Sequence, residues 1–401
     1  MSSLLQVQPF KGPYLLYEAV TTTFVRVPLW FIFALPRNNR PKATWSLRRS
    51  LLLWWRKHWG AVSERSGRWW KEPNYLALEL GANIKGVWVN PVPHLIVGEV
   101  KEWAVLTGVE PVRVPGYWLE KPGATIPVDA RAQAGEKVLY ALHGGGYAAC
   151  SAHPDDGTSN VPRGILQHTG PFLLRSFQLE YRNSKAPTEN PSNPFPAALL
   201  DAIAGYDYLV RGLGFAPEDI ILEGDSAGGN LALALMRYLV ESQGQADGAI
   251  PRPPSALILS SPWSDLGPEP VERTTSRHLN LKSDFISLIG PGYVTMTGDF
   301  LGALGHIAGQ TNRYISPASQ SPSMGHISFK GFPRTFIVNG GSDVLRDQIR
   351  VLRDKMEADL GSKLKFVEFP DAWHDFLCFP EIEPERTEAL HLIADWLQSE
   401  F

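Results

Sequence analysis

Cysteine is scarce in this chain. Its 401 residues include two, Cys150 and Cys378, far apart and in no zinc or redox spacing. A disulfide framework is therefore not expected, and an intracellular, reducing compartment suits the composition. Asn-x-Ser/Thr acceptor sites with an allowed middle residue are missing as well, in keeping with that compartment. An excess of one charge is also lacking. The formal net charge is -3, which gives no reason to expect nucleic acid or an anionic partner. No His-Glu-x-x-His or comparable ligand spacing occurs, so a metallohydrolase is disfavoured and neither metal nor cofactor is expected. Long hydrophobic runs are wanting too. The start, Met1-Ser2-Ser3-Leu4-Leu5, has no charged stretch followed by a long apolar one, so a cleaved signal peptide is not expected. The strongest apolar run nearby, Val27–Pro36, is ten residues, about half of the roughly 20 that cross a bilayer.

What the chain does have is enough apolar sequence for a large core: 44% hydrophobic against 20% charged residues. Its texture changes near Glu110. Residues 1–110 are rich in Trp and Arg, with helical periodicity and no convincing strand, and read as an N-terminal helical segment. From there to the end, 111–401, short apolar runs alternate with helical stretches. The strand candidates are Val112–Leu119, Val138–His143, Leu173–Tyr181, Ile220–Gly224, Ala256–Ser261, Thr335–Asn339 and Leu364–Phe369. Helices are expected over Pro196–Arg211, Ala227–Ser242, Val344–Leu360 and Pro384–Ser399. Unbroken apolar strands separated by helices argue for an α/β sheet covered on both faces. One interval, 264–323, is long, rich in Gly, Pro and Ser, and without a clear strand. Such a stretch in a compact domain is usually functional. It reads as half of a cap over the active site, with the N-terminal segment supplying the other half.

Gly224-Asp225-Ser226-Ala227-Gly228 follows the apolar run Ile220-Ile221-Leu222 and opens a helix. A serine on a sharp strand-to-helix turn is forced into strained geometry that lifts its hydroxyl above the sheet, and flanking glycines let the chain turn there. Ser226 is therefore the candidate nucleophile. His143-Gly144-Gly145-Gly146-Tyr147 follows the strand Val138–Leu142. Its bare N–H groups at Gly144, Gly145 and Gly146, with the amide of Ala227, suit the oxyanion formed when an ester carbonyl is attacked. A phosphate loop would need Gly-Lys-Ser/Thr here, and Tyr147-Ala148-Ala149 follows instead. His143 itself reads as a structural hydrogen-bonding residue.

The hydroxyl needs a base. Of the two histidines beyond the last strand, His391 sits in an apolar-periodic helix, whereas His374 lies in the loop after Leu364–Phe369. Asp343, at the end of Thr335–Asn339, is favoured to orient it over Asp347, one helical turn later. Asp371 and Asp375 adjoin the histidine, but loop neighbours rarely point at each other's rings, and neither is expected to touch it.

The motifs together resemble the hormone-sensitive-lipase family of α/β hydrolases. The residues that carry the resemblance are His143-Gly144-Gly145-Gly146, Gly224-Asp225-Ser226-Ala227-Gly228-Gly229, Ser261-Pro262-Trp263-Ser264-Asp265-Leu266, Asp343-Val344-Leu345-Arg346-Asp347 and His374-Asp375-Phe376. It implies the α/β-hydrolase fold, with an eight-stranded, mostly parallel sheet and a helical cap. It also implies Asp343 as the triad acid. Tyr147, Trp263 and Phe376, which belong to these motifs, are expected to line the substrate pocket. One departure is the stretch after Tyr181-Arg182: the family's Leu-Ala-Pro-Glu is replaced by Asn183-Ser184-Lys185-Ala186-Pro187-Thr188-Glu189, and Pro194-Phe195-Pro196-Ala197 comes late.

The expected activity is hydrolysis of small or medium acyl esters. An amidase or deacetylase could use the same triad, and a ligand receptor on a hydrolase scaffold is disfavoured because Ser, Asp and His are all present. A last feature is the segment between Arg37 and Lys71, with ten Lys/Arg against one acid, Glu64, and seven of thirteen tryptophans lying from Trp30 to Trp70. A basic amphipathic helix with tryptophan can lie on a membrane surface, so peripheral membrane contact is one expectation here. A cap helix with a solvated basic face is the other.

Overall fold

The computed structural model describes residues 4–67, 73–81, 83–184, 193–268, 270 and 272–399. The first helical stretch runs as α1 (Lys11–Thr21), a wider π-type turn (Thr22–Arg26) and α2 (Val27–Phe33), followed by α3 (Leu47–Ser66). Then come β1 (Lys85–Val89), α4 (Gly98–Thr107), β2 (Val114–Glu120), β3 (Val138–Leu142), α5 (Asn160–His168), β4 (Arg175–Leu179), α6 (Ala197–Asp207), β5 (Ile220–Asp225) and α7 (Ser226–Glu241). The remainder is β6 (Ala256–Ser260), α8 (Ser276–Leu279), α9 (Gly290–Leu301), α10 (Gly305–Thr311), β7 (Arg334–Gly340), α11 (Arg346–Leu360), β8 (Leu364–Phe369) and α12 (Glu385–Gln398). The departure after Tyr181-Arg182 falls largely on 185–192, outside the described residues, as do Trp69 and Trp70.

Eight strands form one sheet in the order β1-β2-β4-β3-β5-β6-β7-β8. β1 and β4 each pair antiparallel with β2, and every pair from β4 to β8 is parallel. The parallel strands are apolar on both faces because both are covered. Alternate residues enter two cores, since side chains along a strand point to opposite sides. Val138, Tyr140, Leu142, Leu222 and Leu257 join one core with α6, α7 and α11. Leu139, Ile221, Ile258, Phe336 and Val338 join the other, with α5 and α12. Each fully buried Leu or Ile contributes roughly 1.5–3 kcal/mol.

Strand β1 lies within the first 110 residues, where the sequence suggests only helices. Lys85-Gly86-Val87-Trp88-Val89 is a half-buried edge strand, so it shows neither a continuous apolar run nor a clear alternation. The 264–323 stretch, read as irregular, contains α8, α9 and α10. The glycines of α9 and α10 and the four-residue length of α8 hide them.

The N-terminal arm grips residues 370–385. Trp45 Nε1 donates to the Asp371 carbonyl at 2.9 Å, Thr44 Oγ1 donates to the Asp371 carboxylate at 2.9 Å, and Lys42 Nζ to the Pro370 carbonyl at 2.6 Å. Trp45 also packs edge-on against Trp373, with centroids 5.7 Å apart. Arg49 pairs with Glu385 at 2.6 Å and Arg56 pairs with Glu381. Lys57 donates to the carbonyls of Leu281 and Asp284. The basic face of α3 is therefore divided, with Arg48 and Arg65 exposed. Arg49, Arg56 and Lys57 are spent on the domain beneath.

Candidate active site

Strand order places the site. β3 lies between β4 and β5, so the chain leaves β3 to one side and later returns on the other. The loops after β3 and β5 diverge there and leave a crevice at the carboxyl ends of the strands. The glycine loop follows β3, and Ser226 follows β5 directly. Leu142 and Gly224 are register partners on those neighbouring strands.

Ser226 has φ of +49°, a conformation that side-chain-bearing residues rarely adopt and that persists where the surroundings impose it. The surroundings are tight: a Cβ on Gly228 would overlap the Leu142 carbonyl, so glycine alone lets α7 start this close to β3. Trp263 N donates to the Ser226 carbonyl at 2.9 Å. Gly145, with φ of +110°, bends the other loop, while Gly144 lies against the Asp225 carboxyl and Gly146 beneath the Met296 sulfur. Ala227 is fully buried in the first turn of α7.

Ser226, His374 and Asp343 come together. His374 Nε2 lies 2.9 Å from Ser226 Oγ, and His374 Nδ1 lies 3.0 Å from Asp343 Oδ2. Asp343 is fully buried, and its other oxygen accepts from Leu345 N at 2.7 Å. Asn280 Nδ2 donates to the Asp343 carbonyl at 2.7 Å. Asp347 is engaged elsewhere, accepting from Ser276 N at 2.6 Å and pairing with Arg346. His391 stands exposed on α12, its ring against that of His168.

Asp375 departs from the expectation. Its Oδ2 lies 3.1 Å from His374 Nε2. Its own φ of +48° turns the loop so that a sequence neighbour does face the ring. The imidazole thus has a carboxyl at each nitrogen. Burial pulls the His374 pKa down, but Asp375 and Asp343 outweigh it and hold it well above the ordinary histidine value.

Beneath the ring is a group of buried acids. Burial, then Asp375, pushes Glu223 and Asp225 well above the carboxylate range, and burial followed by Asp225 pushes the Cys378 thiol up. Burial, then Asp343, raises Asp284 to about 7. Asp225, Asp375 and Cys378 bring ligand atoms within 4.8 Å of one another. Within it Cys378 Sγ donates to Asp225 Oδ2 at 3.9 Å. His143 is buried, its Nδ1 lies 2.7 Å from the Gly144 carbonyl and its ring stacks on Tyr181. Burial lowers its pKa to about 4, which leaves it neutral and structural.

Of the expected pocket residues, Tyr147 stacks on Phe300 of α9 at 4.1 Å and donates to Asn230 Oδ1 at 2.8 Å. Trp263 is buried with its ring toward Tyr293. Phe376 is a correction. It is fully buried beside Phe369 in the core on the opposite face of the sheet from Tyr147 and Trp263, where the turn after His374 points it inward. Two half-buried residues that the sequence does not single out lie at the site: Phe285, with its ring centroid 6.1 Å from that of His374, and Met296, above Gly146. Both sit in the 264–323 stretch, and no local motif marks them.

A strained serine at a strand-to-helix turn, an imidazole bridging it to a buried carboxylate, and a glycine loop alongside define a serine hydrolase of the α/β-hydrolase fold. A family model of the alpha/beta hydrolase fold matches residues 139–378, more than half of the chain. An acetyl-hydrolase of Streptomyces hygroscopicus is 29% identical over 270 residues, which are 67% of this chain and 77% of that one. Esterase LipU of Mycobacterium tuberculosis is 30% identical over 281 residues, 70% of this chain and 82% of that one. The crystal structure of a hormone-sensitive lipase from a metagenome library superposes with a TM-score of 0.53 and 25% identity, over 72% of this chain and 82% of that one. The chain belongs to the hormone-sensitive-lipase family of α/β hydrolases and is a carboxylic ester hydrolase.

Proposed function

We propose that the protein hydrolyses esters of small to medium acyl chain through an acyl-enzyme on Ser226. The observation that carries this reading is the hydrogen-bonded line from Ser226 Oγ through His374 to Asp343. His374 Nε2 takes the serine proton as Oγ attacks the ester carbonyl. The imidazolium formed is held by Asp343, then gives that proton to the leaving alkoxide. Water, activated by the same nitrogen, releases the acid. The amides of Gly145, Gly146 and Ala227 serve the developing oxyanion, while the Gly144 N–H is taken by the Asp225 carboxyl. Each such donor contributes roughly 3–4 kcal/mol to the transition state. Tyr147 and Trp263 shape the back of the pocket, with Met296 and Phe285 at its edge.

Residues 111–401 act as the catalytic domain, with 264–323 as a cap insertion and 1–110 as an N-terminal segment that braces it. Met296 and Phe300 of α9, set against the glycine loop and Tyr147, support a cap that limits acyl length. Relatives named acetyl-hydrolase and esterase support a short acyl group over an amide. Two cysteines outside any disulfide suit a reducing, intracellular compartment. A series of p-nitrophenyl esters is expected to give its highest kcat/KM at acetate to butyrate, with a fluorophosphonate probe labelling Ser226 alone. A maximum beyond about ten acyl carbons, or preference for an anilide, overturns the substrate reading; label on another residue overturns the nucleophile.

Asp375 sets the pH dependence. The base works as neutral imidazole, and a raised pKa favours the charged form, so kcat/KM is expected to climb with pH through an apparent pKa above the ordinary ~6.5. Replacing Asp375 by Asn removes a carboxyl from Nε2 and is expected to shift that acid limb to lower pH. Rate profiles of both proteins on p-nitrophenyl acetate check it, and an unmoved limb counts against the contact.

A further inference from the structure

The run from Lys11 to Phe33 is one continuous helical stretch of 23 residues, of which only 11% is buried in its most apolar window. It is longer than the apolar run the sequence displays, because Glu18 and a group of threonines interrupt that run. On the helix Glu18, Thr22 and Arg26 fall to one side, while Thr23 is exposed next to Phe24. Glu18, Thr22 and Arg26 recur every fourth position, and Leu16, Val20 and Phe24 do the same two residues away, roughly 200° around the axis. Leu16 is 66% exposed, Phe24 74%, and Ile32 in the following turns 63%.

The polar stripe is occupied. His58 Nε2 of α3 lies 2.9 Å from Thr22 Oγ1 and 3.3 Å from the Glu18 carboxylate, and Arg26 pairs with Glu18 at 3.0 Å. Trp30 packs against Trp54 and His58. Since α3 is clamped to the catalytic domain by Arg49, Arg56 and Lys57, the exposed stripe is turned away from the protein.

We propose that this helix lies in the plane of a lipid bilayer, with Leu16, Val20, Phe24 and Ile32 in the acyl boundary, and anchors the enzyme to one leaflet. An exposed apolar helix of this length is what a bilayer interface takes up. A crossing helix would carry Glu18 and Arg26 into hydrocarbon and strip them of His58, which ionisable groups resist strongly. The stripe bears no charge, so attraction is apolar and does not depend on anionic lipid. The arrangement also brings lipid near the chemistry. Lys57 of α3 holds the Asp284 carbonyl, Asp284 accepts from Val344 N at 2.8 Å, and Phe285 adjoins His374.

The full-length chain is expected to sediment with uncharged phosphatidylcholine vesicles, equally at low salt and at about 1 M, where the Debye length is about 3 Å. A variant carrying Leu16→Asp, Val20→Asp and Phe24→Asp is expected to bind at least about 100-fold more weakly, with activity on soluble p-nitrophenyl acetate unchanged. A tag before Met1 is expected to stay open to protease added outside the vesicles. Protection of that tag means a crossing helix and overturns the in-plane anchor. Binding confined to anionic vesicles and lost in salt overturns the apolar mode. Wild-type protein that forms dimers and leaves vesicles untouched assigns the stripe to a second copy and overturns the proposal. Because the readout is sedimentation, these outcomes stand apart from failure of the esterase reading.

Discussion

Ser226→Ala is expected to lower kcat by four to six orders of magnitude while leaving the fold intact. The size follows from the roles in the site. Without Oγ there is no acyl-enzyme, and what remains is the rate given by the oxyanion donors and substrate binding, about 10³–10⁴ above water in a comparable triad that loses about 2 × 10⁶ in kcat. Folding is spared because the bond lost with Oγ is the one to His374. The sheet, the bend at Gly145 and the Trp263 N to Ser226 carbonyl bond do not involve the hydroxyl. Stopped-flow assay with p-nitrophenyl butyrate should show the nitrophenolate burst abolished, and circular dichroism should show an unchanged melting curve. A variant that keeps a burst, or more than about 1% of wild-type turnover, removes Ser226 from the nucleophile's place.

The second large effect is at Asp343. Asp343→Asn keeps the shape of the side chain but replaces an acceptor beside His374 Nδ1 with an amide that can donate. That favours the tautomer carrying its proton on Nε2, the wrong one for accepting from serine, and in a comparable triad the loss is ~10⁴ in kcat. Asp347→Asn is expected to cost less than about tenfold, since Asp347 serves the Ser276 amide and Arg346. Steady-state kcat for the pair decides the matter. The opposite ranking would transfer the role to Asp347. Asp343 is also fully buried and accepts from Leu345 N, so melting temperatures are needed to separate lost chemistry from a loosened loop.

The core strands and the serine–histidine–aspartate line could be read from the chain because each leaves a local trace. β5 is Ile220-Ile221-Leu222 ending in the glycine-flanked serine, and β8 is found with the bounds expected, Leu364–Phe369. Features whose physics is not local stayed hidden. β1 is held by pairing with β2, not by its own sequence. The helix from Lys11 looks broken as a string because its polar stripe is sorted from its apolar one only in three dimensions. Asp375 reaches the imidazole through a left-handed backbone that nothing in His374-Asp375-Phe376 announces. The same turn buries Phe376, expected at the pocket. The basic character of α3 was plain in composition, but Glu381 and Glu385, which answer it, lie more than 300 residues away.

The grip of Lys42, Thr44, Trp45, Arg49 and Arg56 on residues 370–385 has a consequence for the ribosome. The arm is made long before its landing surface. At ordinary rates of translation, on the order of half a minute separates the two. During that time Trp45 lacks Trp373, the ring it packs against, while most of the sheet is already being assembled. Docking of the arm is therefore a closing event in biogenesis. A nascent chain stalled before residue 370 presents an uncovered tryptophan-rich helix to chaperones and lacks the loop that carries His374.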